Sequence, residues 1–287
     1  MRPAEPSDDH LFESDNFEAV TKPDRVRWDD DEPDDGETTY LGAEHGPDPV
    51  PPWVITDGFA RQAEIGLLKT GKEAEVFLVE RTLGDDRNLL ACKRYRSNQH
   101  RAFRNDAAYR AGWEMVRGRA KRAIDKKTQT GMGLKAGIWA AWEFELLGLL
   151  WSAGVPVPYP VQMLGLEIMM QYLGDDDGAA FRLVESRASG AVLRDLHDQA
   201  IEIFKGIARC GLVHADLSPY NLLVWDDRLW VIDLPQAMKP FQNPNAFDFL
   251  HRDVTNVIGW FARKGIDTDP EEVFAEVLTE LLGVEAG

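Results

Sequence analysis

Beyond Ile55 the chain alternates apolar and polar positions in short glycine-bounded runs, and later its apolar positions recur at helical spacing. Strands are expected over Glu64–Lys69 and Ala74–Glu80, around a glycine turn, and over Leu89–Tyr95 after the turn Gly84-Asp85-Asp86. Trp139, Trp142, Leu146, Leu149 and Leu150 predict a helix from Trp139 to Trp151, which Val155-Pro156-Val157-Pro158 breaks. Two short strands follow within Val161–Leu173, then helix over 191–210 and again from Ala246 to Leu282. Strands first and helices last predict an α+β, bilobal chain. A small mixed lobe spans 57–170, a hinge lies near Gln171–Gly174, and a larger, mainly helical lobe spans 171–287. Nucleotides commonly bind in such a cleft.

Charge modifies this picture at two places. The net charge of −17 over 287 residues is unevenly spread. Residues 1–56 are strongly acidic and rich in Pro and Gly, as in Asp29-Asp30-Asp31-Glu32-Pro33-Asp34-Asp35-Gly36, which predicts a disordered leader. Residues 94–127 carry eleven basic and three acidic side chains, predicting a basic, partly helical and partly mobile loop over about 98–135. The leader is expected to fold back on this segment and compete with anionic partners. Cys92 and Cys210 lie in apolar runs without ligand-like neighbours, which argues against disulfides or zinc. No run approaches the roughly 20 apolar residues of a membrane span, and Met1–Asp9 is no secretory signal. A soluble cytoplasmic protein is expected.

The candidate chemistry lies in Leu212-Val213-His214-Ala215-Asp216-Leu217-Ser218-Pro219-Tyr220-Asn221 and in Trp230-Val231-Ile232-Asp233. One carboxylate, Asp216, would accept the proton of an attacking hydroxyl. Asn221 and Asp233 would hold the magnesium that bridges nucleotide phosphates. Taken singly, such aspartates are turn formers or caps; the compound spacing favours phosphotransfer. His214 reads as a brace for the loop rather than as a base. Gly66-Leu67-Leu68-Lys69-Thr70-Gly71-Lys72-Glu73 nearly matches a nucleotide-hydrolase P-loop, but Glu73 replaces the magnesium-binding hydroxyl and a strand follows where a helix is needed. Its glycine turn still offers backbone N–H groups to phosphate. Lys93, if it faces inward, needs a carboxylate; Glu143 is the first candidate and Glu145 the second.

Thr70-Gly71-Lys72-Glu73-Ala74, the His214–Asn221 run and Ile232-Asp233-Leu234-Pro235-Gln236 together resemble the RIO family of atypical protein kinases, in the first-described branch with its prokaryotic relatives. Pro244-Asn245-Ala246 and Phe249–Val257 are similar too, and the resemblance covers roughly 57–265. It implies a protein-kinase-like fold using ATP with Mg2+ or Mn2+. By resemblance, Lys93 contacts the phosphates and pairs with Glu143, Asp216 is catalytic, and Asn221 and Asp233 bind metal. Thr70, Gly71, Lys72 and Glu73 cover the phosphates, and the backbone of Gln171 and Leu173 meets adenine. Gln171 departs from the acidic residue often found at this hinge. Neither Phe-Gly nor Ala-Pro-Glu follows Asp233, so the peptide platform of ordinary protein kinases is missing.

The resemblance implies phosphoryl transfer to protein serine or threonine, including self-phosphorylation. One alternative is an ATPase-type assembly factor for ribosomal small-subunit precursors, touching RNA through 94–127, with Asp233 as a transient phosphoryl acceptor. Another is a small-molecule kinase of the aminoglycoside or choline type, although such enzymes usually carry Gly between the His and Asp.

Overall fold

The computed structural model describes residues 36–96 and 129–283, without the side chains of 129–135. Its first lobe is a seven-stranded antiparallel sheet. The strands are β1 (Gly36–Glu37), β2 (Glu44–His45), β3 (Arg61–Thr70), β4 (Ala74–Leu83), β5 (Asp86–Tyr95), β6 (Pro160–Leu164) and β7 (Glu167–Gln171), in spatial order β1-β3-β4-β5-β7-β6-β2. Helix α1 (Gln129–Ser152) packs against this lobe. It begins ahead of the expected Trp139, because Gln129-Thr130-Gly131-Met132-Gly133 has no apolar periodicity to announce it.

The expected leader, 1–56, overlaps this sheet. Residues 1–35 lie outside the described residues, whereas Gly36–Glu37 pairs with β3 at one edge and Glu44–His45 pairs with β6 at the other. The strap between them, and on to Val54, covers the sheet face opposite the cleft. Tyr40 and Val54 pack there with Val79, Leu90, Cys92, Tyr159, Val161 and Met169. Two-residue strands thereby end the sheet on both sides, the short edges that blunt templated pairing. The sheet begins ahead of the expected boundary at 57 because acidity outweighs these few apolar anchors in any composition reading.

Arg81 fixes the strap. It is fully buried, and neutral acceptors surround it: Nη1 donates to the Ile55 carbonyl (3.0 Å), and Nη2 to Gln62 Oε1 (2.9 Å) and Gln162 Oε1. Gln162 in turn donates to Thr39 Oγ1 (2.8 Å), and the guanidinium stacks on the Tyr40 ring. Burial pushes its pKa down to about 10.

The second lobe holds α2 (Gly190–Arg209), α3 (Ala246–Arg263) and α4 (Pro270–Gly283). The single helix expected over Ala246–Leu282 is therefore two. Asp269 Oδ1 accepts the Glu271 N–H (2.9 Å), and Pro270 opens the new helix, where a missing N–H costs nothing. Ahead of α2 come β8 (Gly174–Asp175), β9 (Gly178–Ala179) and β10 (Phe181–Arg182); β10 pairs with the hairpin β11 (Leu222–Trp225) and β12 (Arg228–Val231). Among the described residues, no helix is long and apolar enough to cross a membrane. Both cysteines are free thiols.

Replacing Arg81 by Ala strands three acceptors and opens a cavity under the strap. Each unsatisfied buried polar group costs about 1–3 kcal/mol, so Arg81→Ala should lower the unfolding free energy by about 3 kcal/mol or more in urea titrations. A loss below about 1 kcal/mol would show that the strap does not depend on this residue.

Candidate active site

The hairpin β11–β12 assembles the site. Its turn residues Asp226 (φ 52°) and Asp227 (φ 56°) are both left-handed, the geometry of a two-residue type I′ turn. Leu222 then pairs with Val231, and at the open end the Ile232 N–H donates to the Asn221 carbonyl (3.1 Å). Asn221 and Asp233, twelve positions apart, thus leave the hairpin side by side. Val213 and Met238 exchange two backbone bonds of 2.9 Å, tying the run before Asp216 to the run after Asp233.

Asn221 Nδ2 donates to the Asp216 carbonyl (2.9 Å) and lies 3.4 Å from Asp216 Oδ2. With its amide nitrogen so used, the carboxamide oxygen remains as acceptor. Ala215 (φ 64°) and Asp233 (φ 69°) hold left-handed conformations that are strained for non-glycine residues. Arg252 on α3 donates to the Ala215 carbonyl (2.6 Å) and pairs with buried Asp253 (3.0 Å), so α3 supports the strained loop from behind. Burial raises the Asp216 pKa, and the nearby Asp233 charge adds to this.

Lys93 arrives from the first lobe. Its ammonium sits 2.6 Å from Glu143 Oε1 and 2.9 Å from Asp233 Oδ1. Glu143 is buried on α1 and Glu145 is exposed, so Glu143 makes the pair. Burial acts to lower the Lys93 pKa, but Asp233 and Glu143 outweigh it and hold it above the ordinary value. Lys93 in turn holds Asp233 well below the usual carboxylate range. The Trp142 indole donates to the Ala237 carbonyl (3.1 Å), a second link from α1 to the large lobe.

The turn Thr70–Ala74 closes through a Gly71 N–H to Ala74 carbonyl bond (2.9 Å), and a Cβ on Gly71 would meet that oxygen at 3.0 Å. Burial and then the Asp233 charge push the Glu73 carboxyl up to about 7, which places it in the field of the same cluster. Lys72 is exposed on this turn. At the hinge, the Gln171 N–H donates to Tyr159 (2.9 Å), and the Leu173 carbonyl accepts the Ala180 N–H (2.8 Å).

Three participants were missed in the sequence. Tyr95 donates its hydroxyl to Glu143 Oε2, and its position two residues beyond Lys93 on one strand face could have signalled it. Lys69 Nζ lies 3.8 Å from Asp233 Oδ2. The Arg252–Asp253 pair is the third, and only the fold brings it to Ala215. Most of the basic segment 94–127 lies outside the described residues; of its described members, Arg94 pairs with Glu64 and Glu167, and Arg96 with Glu75.

Comparison with known proteins accords with this geometry. Residues 75–273 match the RIO domain. The chain belongs to the RIO family. The RIO-type serine/threonine-protein kinase Rio1 of Haloferax volcanii is 36% identical over 209 residues, covering 73% of this chain and 67% of that protein. The serine/threonine-protein kinase RIO1 of Chaetomium thermophilum is 32% identical over 229 residues, covering 76% of this chain but 43% of its own length. The Rio1 of Thermoplasma acidophilum is 34% identical over 136 residues, 47% of this chain and 70% of that one. This RIO chain is thus related to serine/threonine-protein kinases of the archaeal Rio1 branch, and it spans less than half of the fungal relative.

His214 in this RIO site is buried, and its Nε2 lies 3.4 Å from the Ile232 carbonyl, so Nε2 carries the proton. Burial lowers its pKa to about 4, against about 6.5 in an unfolded chain. The unfolded state therefore binds the extra proton first, and stability falls as pH drops from about 6.5 to about 4. His214→Gln, which keeps an N–H donor, should lack this contribution. Denaturation curves of the two proteins should diverge over that window by about 3 kcal/mol at most; parallel curves would contradict a neutral buried histidine.

Proposed function

We propose that this RIO-family chain transfers the γ-phosphoryl group of ATP to protein serine or threonine hydroxyls, its own included, with a divalent metal. The observation that carries this reading is Lys93 held between Glu143 of the small lobe and Asp233 of the large one. That arrangement puts a fixed cation at the cleft where phosphates would lie, beside a carboxylate kept ionised. Asp233 and the Asn221 carboxamide oxygen offer an all-oxygen donor pair. It is too small for a dedicated metal cage, which suits magnesium, an ion that retains waters and takes substrate phosphate oxygens. Asn221 and Asp233 would hold that ion, which when bound neutralises charge building on the bridging phosphate oxygens.

The remaining work falls to the chain. Lys93 orients the phosphates, and the Thr70–Glu73 turn covers them with backbone N–H groups other than that of Gly71, which the Ala74 carbonyl engages. At the hinge, Gln171 and the Leu173 N–H would meet adenine, since the Leu173 carbonyl is bonded to Ala180. Asp216 accepts the proton of the attacking hydroxyl as its oxygen bonds to the γ-phosphorus. The bond from that phosphorus to the β,γ-bridging oxygen breaks, and ADP leaves with the electron pair. Burial raises the carboxylate's pKa, which makes Asp216 a stronger proton acceptor. RIO membership supports a protein acceptor over the small-molecule alternative. Contact with ribosomal RNA or small-subunit particles through 94–127 would have to rest on residues other than Arg94 and Arg96, which carboxylates already engage.

Asp216→Asn should reduce label transfer from γ-labelled ATP to serine or threonine by about 100-fold or more, the scale of a lost general base. ATP affinity should stay within about threefold, since the charge removed faces the acceptor. Transfer at the wild-type rate would eliminate Asp216 as the proton acceptor.

A further inference from the structure

Lys69 is a second lysine at the metal aspartate. It pairs across the sheet with Val76, and Val76 pairs with Lys93. Cross-strand partners share a face, so Lys69 and Lys93 project into the same cleft from strands flanking β4. They converge on opposite oxygens of one carboxylate, Lys93 at 2.9 Å from Oδ1 and Lys69 at 3.8 Å from Oδ2. Both oxygens of Asp233 therefore face ammonium groups, and a divalent ion needs at least one of them.

The two cations are held unequally. Lys93 has Glu143 as a second, buried anchor at 2.6 Å. Lys69 has no other ion pair among the described residues, and 3.8 Å exceeds hydrogen-bond length. Its side chain is largely covered within the cleft, so an arriving anion would find a cation with one loose partner. Lys69 immediately precedes the Thr70–Ala74 turn, which places its flexible stem beside the space the turn would cover.

We propose that Lys69 is a second phosphate-binding cation that occupies the Oδ2 side of Asp233 until metal and nucleotide replace it. This rests on the nucleotide-binding reading above. Metal and Lys69 then compete for Asp233, whereas nucleotide and Lys69 attract. One substitution should therefore move the two affinities in opposite directions.

The test uses the full chain and two probes, Mn2+ without nucleotide by electron paramagnetic resonance and ATP in EDTA by calorimetry. In Lys69→Met, Mn2+ should bind about fivefold more tightly and metal-free ATP about tenfold more weakly, the scale of one partly screened charge-assisted contact. AMP, lacking the β- and γ-phosphates, should change by less than about twofold on the same reasoning. Lys69→Gln should repeat both shifts, and Lys69→Arg, which keeps the cation, should stay within about threefold of wild type for ATP. Mn2+ affinity unchanged or weakened in the neutral variants overturns the proposal, as does ATP affinity unchanged. If wild type binds both probes and the variants match it, only the role of Lys69 falls. If wild type binds neither, the nucleotide reading falls with it.

Discussion

The structure depends on one shared ammonium. Lys93 comes from a central strand of the small lobe, Glu143 from the helix behind it and Asp233 from the end of a large-lobe hairpin. Lys93 and Glu143 are buried, and neither charge would be tolerable alone, because an unpaired buried ion is strongly destabilising. The partly exposed Asp233 joins them from the large lobe and ties the two lobes together. Lys93 keeps Asp233 ionised, and the hairpin brings Asn221 to the same end of its two strands. Around this point the chain accepts strain: Ala215 and Asp233 are both left-handed, and Arg252 on α3 meets the carbonyl of the former. Strain supported by a surrounding scaffold is what a site that must not relax between turnovers requires.

Much of this was legible in the chain. The spacing of Asp216, Asn221 and Asp233 carried the candidate chemistry because a short hairpin converts a fixed sequence interval into a fixed distance. Lys93 was legible because a lysine directly after Ala91-Cys92 on a strand, if it faces inward, demands an anion. Which glutamate answers it was not, since Glu143 and Glu145 differ only by their angle around α1, and packing decides that angle. Lys69 was hidden differently. In a glycine-rich stretch resembling a P-loop, the eye goes to Lys72, and only the cross-strand register turns Lys69 toward the cleft. The helix break at Pro270 could have been read locally. The start of α1 could not, since its first residues show no apolar pattern.

The strap was misjudged for a general reason. A composition average over 1–56 registers acidity, but two apolar anchors, two short edge strands and one buried arginine suffice to seat Gly36–Val54 on the sheet. That seating gives the small lobe a second packed face, so the strands carrying Lys69 and Lys93 are supported from behind as well as paired laterally. A rigid sheet lets Lys93, anchored by Glu143, stand as a positioned charge.

Glu143 holds Lys93 in place, and on that hold its value as a positioned charge depends. A double-mutant cycle on Mg-ATP affinity, with Lys93→Met, Glu143→Gln and the double variant, measures that dependence directly. A coupling of about 1–3 kcal/mol is expected, as for contacting groups in one network, with loss of Lys93 costing little once Glu143 is gone. Additive effects of the two substitutions would contradict it.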